Sequence, residues 1–283
     1  MNALLSDLTF SLVGPGRVGR SLAAWAEARG ARCLAAVGRE GSPSLSTAGQ
    51  DLLLIAVPDG ALAQVAADLA ARPQAAVALH TSGSLDAEVL APLRGARTAV
   101  GSLHPLKAFP QPLPDLDQAR GVFFALDGDP AARALATRLA AAWDAEAAEV
   151  PAAARTLYHF AATLAAGGVV TLLALAEEIA VRLRLPAAVV RGYLELSRGA
   201  VAAAIEADAA GRPVAAALTG PAARGDRSTV ERQLAALADL APKKVLLVTE
   251  LARETLRQKK KTGELTAEQR ELLAMLEGVL PPT

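Results

Sequence analysis

An apolar run, Thr9-Phe10-Ser11-Leu12-Val13, passes directly into Gly14-Pro15-Gly16-Arg17-Val18-Gly19 and then into residues with helical periodicity. Few local sequences narrow the accessible folds as much. Glycine at 14 lets the chain leave a strand tightly, glycine at 16 leaves room for a pyrophosphate to reach the backbone, and glycine at 19 lets the helix lie close to the sheet. The free N–H groups and dipole of the helix start suit phosphate. Glycine-rich turns also occur for geometric reasons alone, so the surroundings decide.

Those surroundings extend the motif into a βαβ unit. Arg20 to Arg29 continues with apolar residues at helical spacing, Gly30 can end the helix, and Cys33-Leu-Ala-Ala-Val37 reads as a second buried strand. An NAD site of this type places Asp or Glu at the end of that strand to bind the ribose 2′-hydroxyl, whereas this chain has Gly38-Arg39. A guanidinium there favours a 2′-phosphate, so the motif points to NADP over NAD, with Ser42 as a further phosphate contact. The plain alternative is that Arg39 is a solvated loop residue.

Further along, Asp51 to Val57, ending in Pro58-Asp59, and Ala75 to Leu79 are near-continuous apolar runs of the kind found in parallel strands covered on both faces. A helical segment, 60–71, separates them. Strands are expected at 97–103, 121–126 and 147–150, a helix at 129–143, and an ordered non-helical loop where Pro105, Pro110, Pro112 and Pro114 cluster. After Pro151 the pattern becomes alanine- and leucine-rich and helical, at 152–184, 186–209, 226–240, 242–260 and 266–278. The expected class is α/β: a doubly wound nucleotide-binding domain at 1–150, followed by an all-helical substrate and dimerisation domain at 151–283.

Composition excludes some roles. Lysine plus arginine equals aspartate plus glutamate, 29 of each among 283 residues, which gives no electrostatic reason to expect nucleic acid or an anionic membrane as partner. The single cysteine, Cys33, rules out an internal disulfide and fits a reducing, cytoplasmic setting. The start of the chain lacks a basic n-region, so no signal peptide is expected. The longest uncharged stretch, Phe160 to Ala176, is short for a membrane span and reads as a buried central helix.

Chemistry centres on three histidines, the only ones in the chain. His80 ends a predicted strand in His80-Thr81-Ser82-Gly83-Ser84, and His104 ends the next in Leu103-His104-Pro105-Leu106-Lys107. In open α/β sheets ligands bind beyond the carboxyl ends of strands, so both are expected on the cofactor side. His159, in Arg155-Thr156-Leu157-Tyr158-His159, opens the first long helix and is the leading candidate for a proton donor; for each histidine alone, a satisfied structural role stays open. Lys107, Tyr158, Thr163 and Arg224 are candidate substrate contacts, Lys107 and Arg224 as anion partners. Ser82 is a candidate cofactor or substrate hydrogen bond, since no nucleophile elbow surrounds it. No compact ligand spacing supports a metal site. Residues 217–226, Ala-Leu-Thr-Gly-Pro-Ala-Ala-Arg-Gly-Asp, read as an interhelix turn in which Asp226 caps the next helix, or as a loop facing the substrate.

With these residues in hand, the chain resembles the Rossmann-like proteins carrying the DUF2520 domain, relatives of the 6-phosphogluconate dehydrogenase-like and coenzyme F420-dependent NADP oxidoreductase groups. The resemblance rests on Gly14-Pro15-Gly16-Arg17-Val18-Gly19, Val57-Pro58-Asp59, His80-Thr81-Ser82-Gly83, His104-Pro105, Tyr158-His159 and Leu218 to Asp226. It implies NADP bound by the first domain, a C-terminal domain like that of 6-phosphogluconate dehydrogenase, and a homodimer packed through the C-terminal helices. Related proteins often carry Asn eight residues after the helix histidine, where this chain has Gly167. The function expected is NADP(H)-dependent oxidation or reduction of a small carbonyl or hydroxy compound in the interdomain cleft. The competing expectation is a dimer that binds or senses NADP without chemistry.

Overall fold

The computed structural model describes residues 5–38, 40, 44–72, 74–94 and 98–278. Arg39 and Ser42, expected at the 2′-phosphate, lie outside them. The chain divides into two compact units, Met1–Thr171 and Leu172–Thr283.

Unit 1 is built on seven strands in the order β2-β1-β3-β4-β5-β6-β7. They are β1 (Thr9–Val13), β2 (Arg32–Val37), β3 (Leu52–Ile55), β4 (Val77–His80), β5 (Ala99–Pro105), β6 (Phe123–Gly128) and β7 (Glu146–Glu149). Helices α1 (Arg17–Ala28), α2 (Asp59–Ala70) and α3 (Pro130–Ala142) join them. Alternation along β3 shows why its sequence is apolar throughout. Leu52 and Leu54 enter a core with Leu22 and Trp25 of α1 and Leu139 of α3, while Leu53 and Ile55 enter another with Leu62, Val65 and Leu69 of α2. A strand buried on both faces has no place for polar residues.

Every neighbouring pair is parallel except β5 with β6, which is antiparallel. The reason lies in the proline-rich connection, which offers only a short 3-10 turn at Leu116–Gln118 and no crossover helix to carry the chain back. This connection is pinned to α1: Leu113 N–H donates to Ser21 Oγ at 2.8 Å and Trp25 Nε1–H to the Asp115 carbonyl at 3.0 Å. The residues after β5 are thereby tied to the helix that follows the glycine turn.

The sequence pattern places a boundary at 150/151, where strands give way to helices, whereas the compact units divide at 171/172. The difference has a local cause. Helix α4 (Ala152–Thr163) opens the helical region but sends Arg155 and Tyr158 into hydrogen bonds with Ser82 and His104 of unit 1.

A π-helical segment, Leu164–Gly168, connects α4 to α5 (Val169–Arg182). The whole run Ala152–Arg182 is long and apolar enough to cross a membrane by length and composition, yet its most apolar window is almost entirely unburied. This corrects the expectation of a buried central helix: Leu157 is 73% and Val170 65% exposed. The residues are apolar, but nothing among the described residues covers them.

Unit 2 contains α6 (Ala187–Ala209), α7 (Pro221–Arg224), α8 (Arg227–Leu240), α9 (Val245–Thr262) and α10 (Ala267–Glu277), with no strand among its described residues. Val230, Leu256, Leu272 and Leu276 form its core. Thr266 and Gln269 close a capping box on α10.

Candidate active site

The three glycines of the first turn meet different surroundings. A Cβ at Gly14, where φ is +89°, would lie 2.6 Å from the Ala56 carbonyl oxygen, and one at Gly19 would lie 2.3 Å from the Gly14 carbonyl oxygen. Both are required by the packing of turn, strand and helix. At Gly16 nothing lies within 4 Å, so there the missing side chain leaves open space. Helix α1 starts at this point with no side-chain cap and no acidic residue in its first turn. Its leading N–H groups have no acceptor within the helix, which suits an anion. The site fits a dinucleotide pyrophosphate.

Around the turn, Val57 is buried with Cγ1 against the Gly14 position, and Pro58 precedes α2 as its N-cap. Asp59 is exposed and accepts a hydrogen bond from Ser84 Oγ at 2.5 Å, tying the turn after β3 to the turn after β4. Arg17 reaches the Pro110 carbonyl at 3.4 Å.

The parallel order of β1, β3, β4 and β5 brings their carboxyl ends to the same sheet edge, and the histidines diverge in role there. His80 is fully buried; Ser82 N–H donates to its Nδ1 at 3.1 Å, so the neutral ring carries its proton on Nε2 and donates it to the Asp86 carbonyl at 3.0 Å. Burial, reinforced by the Arg155 charge, pushes its pKa down to about 4. With both nitrogens engaged and no exposure, His80 holds the turn together, and its expected catalytic role is not supported by this geometry. Ser82 acts likewise: its Oγ accepts from Ser84 N–H at 3.2 Å and Leu85 N–H at 3.1 Å.

His104 and His159 face each other. Their ring centroids are 5.6 Å apart at an interplanar angle of 82°. Gly83 lies between them, and a Cβ there would stand 2.6 Å from His104 Nε2 and 2.5 Å from His159 Nδ1. His104 Nδ1 is 3.0 Å from the Tyr158 hydroxyl. Burial first, then the neighbouring His159 and Arg155, lowers the His104 pKa to about 4, so this ring is neutral near pH 7. Burial raises that of Tyr158.

These side chains form one end of a cavity of about 630 Å³ in unit 1, lined by His104, Pro105, Leu106, Lys107, Tyr158, His159, Thr163 and the alanines and glycine of the helix up to Gly167. Among the described residues no carboxylate lines it, and Lys107 is its one amine. Thr163 Oγ1 donates to the His159 carbonyl at 3.1 Å, within its own helix. Among the described residues no group of three or more His, Cys, Asp or Glu is placed to hold a metal ion. Arg224 belongs to unit 2, exposed at the end of α7, and the adjacent Asp226 caps α8 by accepting from Thr229 N–H at 3.1 Å.

Sequence reading passed over Arg155. It is fully buried, and its Nη2 donates to the Ser82 carbonyl at 2.9 Å. The available signal was spacing: Arg155, Tyr158 and His159 stand at i, i+3 and i+4, on one helix face.

Residues 122–255 match the family described as a domain of unknown function, DUF2520, and residues 23–105 match a Rossmann-like domain. Two family models thus match the chain in succession, a Rossmann-like domain and then DUF2520. Curated proteins give no sequence match. Solved structures similar to it include a Bacteroides fragilis protein provisionally named an NADP oxidoreductase, 20% identical with a TM-score of 0.72 over 89% of this chain and 98% of that one. A Thermotoga maritima protein is 22% identical with a TM-score of 0.66, covering 89% and 99%. Plasmodium falciparum pyrroline carboxylate reductase with NADP bound is 14% identical with a TM-score of 0.57, covering 90% and 98%. At such identities these are likenesses of fold alone.

Proposed function

We propose that this chain is an NADP(H)-dependent oxidoreductase acting on a small carbonyl or hydroxy compound. One observation carries the reading: the sheet edge that ends in the open Gly16 turn also ends in the His104–Tyr158–His159 cavity. The fold shared with an NADP oxidoreductase and with a reductase that binds NADP supports it. The backbone N–H groups at Arg17 to Gly19 would hold the pyrophosphate, and Arg39 with Ser42 the 2′-phosphate. The nicotinamide supplies or accepts hydride at the substrate carbon.

The chain's own part is to place and protonate the substrate. Lys107, on the cavity wall beside Leu106 and His104, would bind an anionic group of the substrate. His159, facing His104 across Gly83 on the cavity wall, is the proton donor to the nascent alkoxide. Tyr158 and His104 form a coupled pair beside it. When the phenol donates to Nδ1, His104 carries its proton on Nε2; when Nδ1–H donates to the phenol oxygen, the phenolic proton is free for the substrate. His104 thus serves as a neutral relay and not as a cationic acid.

The exposed apolar residues of α4, α5 and α6 support a homodimer formed through the helical region, since large apolar side chains left exposed in such number ordinarily meet a partner. Sedimentation of the wild type should give a dimer, and Leu196→Glu, at a position 72% exposed, should shift it toward monomer. A soluble, cytoplasmic setting accords with this reading.

Fluorescence titration with NADPH and NADH tests the cofactor, with NADPH expected to bind at least about tenfold more tightly, a difference of 1.4 kcal/mol. Equal affinities would remove the role given to Arg39. Turnover with a panel of small carbonyl and hydroxy compounds, and its loss in His159→Gln, tests the chemistry. NADPH binding without oxidation across the panel would favour a sensing dimer.

A further inference from the structure

Ser82 is unusually constrained. Its N–H is held by His80 Nδ1, its Oγ accepts from Ser84 and Leu85, and its carbonyl oxygen accepts from Arg155 Nη2 at 2.9 Å. The next residue is Gly83, the floor across which His104 Nε2 and His159 Nδ1 face each other. Arg155 sits one helical turn before His159 on the same face of α4, so a fixed Arg155 fixes the azimuth and height of both Tyr158 and His159. We propose that Arg155 is the positioning residue of this site: its bond to the Ser82 carbonyl clamps α4 to the turn after β4 and sets the separation of His104 and His159 across Gly83.

The rest of the guanidinium argues for more than packing. Arg155 Nε and Nη1 are buried without hydrogen-bond partners, a costly state that an apolar side chain of similar size would avoid. Asp127 and Asp86 act on Arg155 through space, while the Asp127 carboxylate bonds Ala87 N–H at 2.9 Å. The groups acting on His104 are Tyr158, His159 and Arg155 from α4, His80 from β4 and Asp59 from α2. Among them Arg155 is the arginine whose charge disfavours a second cation, so the clamp also helps keep the relay ring neutral.

This inference rests on the cavity being the substrate site, but its test needs no substrate. The full chain has only three histidines, so their ring Cε1–H signals can be resolved and assigned with single His→Gln variants. In Arg155→Met, the His104 titration midpoint should rise by about one pH unit, roughly tenfold in proton affinity, and the His159 signal should shift. Arg155→Lys, which retains a charge and a donor, should restore both. NADPH affinity should stay within twofold of wild type, because the glycine turn does not touch Arg155. In wild type, the Arg155 Nη protons should exchange slowly and show coupling to the Ser82 carbonyl carbon, a measurement that stands even if Arg155→Met fails to fold. Free exchange of those protons, or a folded Arg155→Met whose histidines titrate as in wild type, would overturn the proposal. A protein that binds no nicotinamide cofactor would remove the reading of the cavity while leaving this result intact.

Discussion

The Tyr158 hydroxyl lies 3.0 Å from His104 Nδ1, and the two rings meet edge to face at 88° with centroids 5.6 Å apart. The phenol is thus both a hydrogen-bond partner and a packing surface for a largely buried imidazole. Tyr158→Phe keeps the ring contact and removes the bond, leaving Nδ1 without a partner at a cost of about 1–2 kcal/mol. Urea denaturation should show that loss, and turnover should fall if the pair relays a proton. A variant as stable as wild type would show that the bond contributes nothing to the fold.

Gly83 makes a sterically sharper prediction. Its φ is not in the left-handed range, so alanine is tolerated by the backbone but meets the two imidazoles 2.5 and 2.6 Å from the Cβ position. One or both rings must move, at a cost of roughly 1–3 kcal/mol typical of overpacking. Gly83→Ala should therefore lower the thermal midpoint and shift the ring signals of His104 and His159 together, with the His80 signal least affected.

How much of this was legible in the chain depends on whether the signal was local. The seven strands and the long helices follow from apolar runs, helical periodicity and proline positions, all of which act within a few residues. The antiparallel return of β6 was also latent in the proline-rich connection. What sequence could not give was convergence at long range: that Ser82, 73 residues before Arg155, offers it a carbonyl, or that Gly83 separates two histidines. His80 and His104 look alike as strand-end histidines, and only the hydrogen bonds of Ser82 and Tyr158 distinguish the buried support from the cavity wall. The exposed face of α4 and α5 misled for the opposite reason, since apolar residues announce burial without saying against what.

Gly19 and Gly16 of the first turn should separate folding from cofactor binding. Gly19→Ala forces a Cβ to within 2.3 Å of a backbone oxygen and should destabilise the protein by about 2–3 kcal/mol. At Gly16 the backbone is ordinary, φ −80°, and the surroundings are open, so Gly16→Ala should change stability by less than about 0.5 kcal/mol. Its methyl group would occupy the space left for pyrophosphate. NADPH affinity, followed by fluorescence, should then weaken about tenfold or more, a loss of 1.4 kcal/mol or greater. Unchanged affinity in a folded Gly16→Ala protein would remove the dinucleotide from this turn.

Stability should also depend on pH in a window set by two rings. His80 and His104 have folded pKa values of about 4, against about 6.5 for an ordinary histidine. Between those values the unfolded chain binds protons that the folded chain does not, so unfolding takes up protons and stability rises with pH. The contribution is therefore complete above about pH 7 and is lost as pH falls through 6.5 toward 4, with a gap of this size worth about 3 kcal/mol per ring. The carboxylates with lowered values, Asp7, Glu88, Asp129, Asp226 and Glu268, are at the surface and lose their stabilising effect only at lower pH, where screening keeps it small. Urea midpoints between pH 8 and 4.5 should fall steeply below pH 6.5, with an uptake approaching two protons near pH 5. His104→Gln should reduce that uptake to about one, and midpoints independent of pH from 7 to 5 would mean that neither ring is held neutral by the fold.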